Sequence, residues 1–231
     1  MEATEIRRLV ALEDTHWWYR ERRAILRREL RRLRPGRALD IGAAGGGNTR
    51  VLVEDGWDAT ATDFSEVAVQ VARERGLKCL LADARDLPVA PGSFDLVTAF
   101  DVLEHIDEDY LVTEQIAKAL RPGGRALIAV PCDMALWSAH DEAVGHVRRY
   151  CRDSLTAVVE KGGLQVERLW SWNVLLRPLV ARHRRRSTGS DLAETPALVN
   201  AALSAVVMLE RHLPVTSLKG VTLYLRARKP S

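Results

Sequence analysis

The sequence predicts an α/β fold built on a doubly wound, mostly parallel sheet of seven strands. Three observations carry that expectation. Short apolar runs alternate with helix-like stretches through the middle of the chain. A glycine-rich turn joins the first run to the first helix, and an aspartate closes each of four successive strands. With 231 residues, 47% of them hydrophobic and 28% charged, the chain has the composition of an ordinary globular domain. Folding at that length buries roughly 70–75% of the unfolded surface, so the core needs no disulfide staples.

The elements follow in order. RALDI (37–41) reads as the first strand, and a helix runs from about Asn48 to Asp55 after the glycines. WDATAT (57–62) is the second strand, followed by a helix from Ser65 to Arg75, then LKCLLA (77–82) and FDLVTAF (94–100). A helix from about Asp107 to Leu120 is stopped by R-P-G-G at 121–124, because proline and glycine do not continue it. GRALIAV (124–130) is the fifth strand, while LQVERLW (164–170) and GVTLYLRA (220–227) alternate as strands at a sheet edge do. Two parts lie outside this frame. The N-terminal stretch reads as a helix with Trp18, Ile25, Leu26, Leu30 and Leu33 on one face. His16, Arg20, Arg23, Arg27, Arg31 and Arg34 fall on another, and because the sheet begins only near Arg37, removing residues 1–24 is expected to leave a folded core. Residues 171–219 hold WNVLLRPLVARHRRR, a polar S-T-G-S-D break and an apolar helix around Pro196–Arg211, a length that points to a cap over a site.

Composition narrows the function classes. Residues 1–37 carry 11 Lys and Arg against 6 acids, residues 168–231 carry 11 against 3, and residues 38–167 carry 12 against 22. Basic ends around an acidic middle suit either arginine-rich solvated faces or an anionic partner. Cys79, Cys132 and Cys151 form no C-x-x-C pair, and an odd number cannot all pair internally, which suits reduced thiols in a cytoplasm. No stretch of about 18 apolar residues suggests a spanning helix, and the start lacks a secretory-signal pattern. Histidine and cysteine spacing suggests no metal site.

The most informative stretch is ALDIGAAGGGNTRVL. Gly42, Gly45, Gly46 and Gly47 match neither the G-x-G-x-x-G dinucleotide turn nor a phosphate-cradling P-loop. Asp63 ends the second strand about twenty residues on, where an acid takes ribose hydroxyls. Asp83 follows the third strand, where a carboxylate can accept from an exocyclic amine, and Asp101 follows the fourth. With Asp40, these acids converge at the carboxyl edge of the sheet; helix capping explains one or two of them, not four.

LDIGAAGGG, ATDFS, LADARDLP, FDLVTAFDVLEHI and LRPGGRALIAVP, in order over residues 37–131, resemble the Rossmann-like class I S-adenosylmethionine (SAM)-dependent methyltransferases. H-W-W-Y-R-E-R-R and G-H-V-R-R-Y (145–150) resemble a bacterial small-molecule subgroup often encoded among glycan and natural-product genes. One departure is Ala44, at the middle glycine of the family's G-x-G-x-G. The resemblance implies a single domain over 1–231, with an N-terminal helical lid (1–34), a SAM-binding core (35–170), a cap (171–219) and a last strand (220–231). It implies that Asp40 orients the turn near the methionine amino group and that Gly42 and Gly46 let the protein backbone approach the methionine part of the cofactor. Asp63 would hold the ribose, Phe64 pack on adenine, Asp83 and the Ala84 N–H contact the adenine edge, and Phe100 and Asp101 line the methionine end. The product would be S-adenosylhomocysteine (SAH).

For an oxygen or nitrogen acceptor, the protein supplies alignment and a base. The candidate bases are His105, His140 and His146, with His140 ranked first because Asp141 adjoins it. Arg148, Arg149 and Tyr150 are candidates for gripping an anionic group. Trp18 and Tyr19, beside Trp17, with Arg20 and Arg23, are candidates for a lid, and 172–186 for a second cover or a membrane-surface contact. The expected acceptor is a small molecule of sugar, lipid-linked or natural-product type. Two alternatives stay open: a nucleic-acid methyltransferase, disfavoured by D-V-L-E-H after the fourth strand, and a SAM-binding regulatory module without turnover.

Overall fold

The computed structural model describes residues 3–185 and 195–231. Two helices, α1 (Ala3–Glu13) and α2 (Trp17–Leu30), precede β1 (Arg37–Ile41). Then come α3 (Gly47–Glu54), β2 (Asp58–Asp63), α4 (Glu66–Glu74), β3 (Cys79–Leu81), β4 (Phe94–Phe100), α5 (Asp109–Ala119) and β5 (Leu120–Pro131). The chain continues through α6 (Ala139–Ala143), α7 (Arg152–Lys161), β6 (Gln165–Trp172), α8 (Arg177–Arg184), α9 (Ala197–Glu210) and β7 (Thr222–Arg228). The seven strands form one sheet in the order β3-β2-β1-β4-β5-β7-β6. Strands β1 to β5 are parallel, and β7 is antiparallel to both β5 and β6. The order reverses between β1 and β4, which opens a crevice at their carboxyl ends.

Local chemistry sets the boundaries. Ser65 caps α4, its Oγ accepting from Ala68 N at 3.4 Å. Helix α5 stops before R-P-G-G, but the chain enters β5 at Leu120, earlier than the sequence suggests. Leu120 pairs with Phe94 and Arg125 with Leu96, so the intervening residues bulge, with Gly123 at φ +75°. Strand β7 is not an edge. It lies between β5 and β6 with Thr222, Leu223, Tyr224 and Leu225 buried, and of the last two strands β6 alone lies at an edge of the sheet. The alternation that suggested an edge survives only toward its end, where Arg226 and Arg228 are half-buried on either side of Ala227.

Two layers of helices complete the core. On one face Leu39, Ile41, Val97, Ala99, Ile128 and Leu225 pack with Val112 and Ile116 of α5 and Leu155 and Val159 of α7. On the other, Ala38, Leu96, Leu127 and Tyr224 meet Trp17, Ile25, Leu26 and Leu30 of α2 and Val51 and Leu52 of α3. The N-terminal stretch is therefore two helices, and the second is a core layer. Burying each such side chain contributes about 1.5–3 kcal/mol, so residues 17–24 are not the removable lid that the sequence suggests. Helix α1 instead rides on α4, with Ile6 against Ala68 and Val71.

The insertion is tied to this N-terminal layer. Trp17 N donates to Asn200 Oδ1 at 2.8 Å, and Asn200 Nδ2 donates to the Thr15 carbonyl at 3.0 Å. Arg211 Nε donates to Glu21 Oε1 at 2.9 Å, and the His16 Nε2 and Thr195 Oγ1 atoms are 3.0 Å apart. The polar S-T-G-S-D break (187–191) lies outside the described residues. No helix among the described residues is long and apolar enough to cross a membrane.

Candidate active site

The turn after β1 is built around backbone that glycine favours. Gly42 lies at φ +64°, and a Cβ there would come within 2.5 Å of Val102 Cγ2. Ala44 lies at φ +47°, left-handed despite its methyl group. Asp63 braces this turn: its Oδ2 accepts from Ala44 N at 2.8 Å and its Oδ1 from Ser65 N at 2.9 Å. Burial pushes the Asp63 carboxyl up against those hydrogen bonds. Asp40 is only 1% exposed, receiving hydrogen bonds from Thr49 Oγ1 at 2.7 Å and Thr98 Oγ1 at 2.6 Å. Burial raises its pKa to about 6.

A cavity of about 1030 Å³ opens along the carboxyl ends of the strands. Gly42, Asp63 and Phe64 line it near β1 and β2, and Asp83 and Ala84 line it beyond β3. The Phe64 ring is 73% exposed, presenting a flat apolar face. Asp83 accepts from Arg85 through both backbone N and guanidinium, which hold its carboxyl below the usual range. Phe100 and Asp101 continue the wall at the end of β4. Asp101, at φ +58°, forms a two-point pair with buried Arg22, closest at 2.7 Å. That guanidinium also lies 5.5 Å from the Phe100 ring centroid and 5.9 Å from that of Trp18.

The far end is polar and rich in histidine. His105, His140 and His146 all line the cavity, with the His105 and His146 ring centroids 4.7 Å apart. Asp141, fully buried, holds His146: its Oδ1 lies 2.8 Å from Nδ1, and it also accepts from Arg149 Nε at 2.8 Å. The partnership expected between Asp141 and His140 is thus made with His146, because α6 turns the carboxylate toward the strand of chain at 145–149. Glu104 is wholly buried, and neither of its oxygens has a hydrogen-bond partner among the described residues. Burial, with Asp101 close by, pushes its carboxyl well up. His146 Nε2 lies 3.8 Å from Glu104 Oε1. Ligand atoms of Glu104, His105 and His146 lie within 4.8 Å of one another, a grouping that spacing in the sequence hides.

Several expected positions fall elsewhere. Asp40 does not line the cavity and acts on the turn through Thr49, at the start of α3. Gly46, at φ +81°, is not among the cavity-lining residues, and a Cβ there would meet Leu77 and Ala72. Arg23 is buried outside the cavity against the Glu13 carbonyl and Asp14. Arg148 and Tyr150 are bound to Asp109 at 2.8 and 2.7 Å, fixing the start of α5. Trp18, Tyr19 and Arg149 do line the cavity. Arg22 and Glu104 were missed. The signal for Arg22 was present: it follows Trp18 by four and precedes Leu26 by four, an arginine inside an apolar stripe.

The reversed strand order, the antiparallel seventh strand, the glycine turn and the acids at the ends of β2 and β4 are those of the Rossmann-like class I methyltransferase fold. Residues 39–128 match the family described as "Methyltransferase domain". Over 101 residues it is 34% identical to a "Ubiquinone biosynthesis O-methyltransferase" of Idiomarina loihiensis, covering 38% of this chain and 40% of the relative. Over 165 residues it is 24% identical to a "Probable S-adenosylmethionine-dependent methyltransferase" of Mycolicibacterium smegmatis, covering 70% and 64%. The chain thus spans less than two thirds of these relatives' lengths. Among solved structures, the chain described as a methyltransferase in complex with the Haloferax volcanii Trm112 methyltransferase activator shares the fold. Its TM-score is 0.66 at 21% identity, covering 99% of this chain and 96% of that one.

The cavity's donor set suits SAM. Carboxylates at 63, 83 and 101 face the space at the strand ends, where hydroxyls, an amine and a sulfonium cation need acceptors. The turn carries no lysine for phosphates, and Gly42 leaves its backbone open to close approach.

Proposed function

We propose that this protein transfers a methyl group to an oxygen or nitrogen atom of a small-molecule acceptor. One observation carries the reading: a single cavity joins the acid-bearing strand ends to the Asp141–His146 pair. SAM, bound at the strand ends, supplies an activated methyl carbon. Gly42, Asp63 and Phe64 hold the ribose and adenine, with Ala84 and Asp83 at the adenine edge. Phe100 and the Arg22–Asp101 pair wall the methionine end. At the histidine end, Asp141 fixes His146 with Nδ1 protonated, which leaves Nε2 to take the acceptor's proton. Asp141 then stabilises the imidazolium, while Arg149 keeps that carboxylate in place. His105 and His140 shape the same wall, and the apolar side chains of α8 and α9 exclude water from it. In this reading α1 and the insertion form one cover over the crevice, with Trp18 and Tyr19 at the start of α2 lining it, within a single domain.

The cavity volume lies at the upper end for a site that encloses one drug-sized molecule, leaving room for an acceptor beside the cofactor. Similarity to an O-methyltransferase supports oxygen as the acceptor atom. The test is methyl transfer from labelled SAM to a panel of phenols, sugar hydroxyls and amines, with SAH titrated calorimetrically in parallel. Transfer to one chemical class, abolished by excess SAH, is the expected result. SAH binding without transfer to any acceptor, by wild type and His146→Ala alike, would favour a regulatory module instead.

A further inference from the structure

Helix α9 is apolar almost throughout, yet few of its side chains are buried. Between Ala197 and Glu210 only Val207 and Glu210 are buried, whereas Leu198 is 87% exposed and Val199, Met208 and Leu209 are about half exposed. Leu175 and Leu179 beside α8, and Leu213 and Leu218 after α9, extend the same character. Among the described residues, eight of the fourteen exposed large apolar side chains fall between 175 and 218, so the exposure is concentrated and not scattered.

The charged side chains around this face are mostly basic, and Arg177 is ion-paired with Asp133, Arg184 with Asp141 and Arg211 with Glu21. Residues 172–185 and 195–219 contain six Lys and Arg and a single acid, Glu210. Glu210 is buried, accepting from Leu175 N at 2.9 Å, so it does not offset the basic rim. Arg182 and Arg185, at the end of α8, and Lys219 are exposed. The face also adjoins the cavity, because Leu179 of α8 and Val199 of α9 both line it.

We propose that the α8–α9 face docks on an anionic lipid bilayer. Its apolar side chains enter the headgroup and acyl boundary, and the basic rim meets lipid phosphates. An apolar surface rimmed by the exposed Arg182, Arg185 and Lys219 has that chemistry, whereas a face shared between two copies would bring like charges together. An acceptor dissolved in the bilayer would meet the outer wall of the cavity without crossing water. The docking itself does not depend on turnover.

The experiment is co-sedimentation of the full chain with vesicles of phosphatidylcholine alone or mixed with phosphatidylglycerol, at low and physiological salt. Strong binding to the anionic vesicles, weakened by salt and by at least tenfold in the double variant Leu198→Asp, Leu209→Asp, is expected. Neither leucine lines the cavity, so the variant should keep wild-type SAH affinity and circular dichroism. Absence of binding to anionic vesicles, or equal binding by the variant, overturns the proposal. So does a concentration-dependent dimer dissolved by the same substitutions, which would assign the face to a second copy. SAH calorimetry on the same samples reports on the methyltransferase reading separately.

Discussion

Ala44 holds a left-handed backbone, φ +47°, that a Cβ makes unfavourable by about 1–2 kcal/mol. Replacing it with glycine relieves that cost and returns part as unfolded-state entropy, about 0.4–1 kcal/mol. Ala44→Gly should therefore raise Tm by about 1–4 °C, read by scanning fluorimetry; an unchanged or lower Tm would contradict the strain. Asp40 offers a test in pH. Its folded pKa of about 6 exceeds the ordinary 3.8, so the folded chain binds this proton more tightly than the unfolded chain. The stability it contributes is present at low pH and is lost as pH rises from about 4 to about 6, on the order of 3 kcal/mol. Relative to wild type, Asp40→Asn should gain in urea midpoint across that window; parallel curves would show that the group is not perturbed. At the histidine end, His146→Ala should lower turnover by about 10²–10⁴-fold with SAH affinity kept, and His140→Ala by much less. A chelator should leave the wild-type rate unchanged, because the proton goes to His146. Equal losses in the two histidine variants would undo the ranking that Asp141 sets. The acids were legible one by one in the sequence, since each ends a strand. Their partners were not: nothing in the spacing shows that Asp141 reaches five residues forward to His146, or that Asp101 meets Arg22.

Strands and helices of the middle were legible because apolar runs, glycines and caps agree there at every level. The N-terminal helices were read less well. Arginine on several faces of α2 looks like a solvated helix, but Arg22 and Arg23 are buried with partners and Trp17, Ile25 and Leu26 pack on the sheet. Removing residues 1–13 should leave a folded protein whose turn around Gly47 exchanges amide hydrogen faster, since Glu13 lies against that glycine. Removing 1–24 should abolish cooperative unfolding, because losing Trp17 alone costs about 3–5 kcal/mol of a total near 5–15 kcal/mol. A cooperative transition in the shorter chain would return α2 to the status of a lid. The position of β7 was illegible for a different reason: alternation reports which faces are wet, not which strands lie on either side.

Across the whole molecule, much of the charge asymmetry closes on itself. Arg22 pairs with Asp101, Arg27 with Glu54, Arg75 with Glu13, and Arg226 with Glu29 and Glu167. The basic N-terminal and C-terminal parts are thus bound to acids of the core and of α2, so net charge alone indicated no partner. What remains is one crevice, acidic at the strand ends and histidine-lined opposite, under α2, α8 and α9. The most direct measurement is a crystal structure with SAH. Ribose hydroxyls within hydrogen-bond distance of Asp63 and a sulfur facing the space before His146 Nε2 are the expected result. SAH absent from the crevice, or bound with its sulfur turned away from His146, would contradict the assignment of cofactor and acceptor ends.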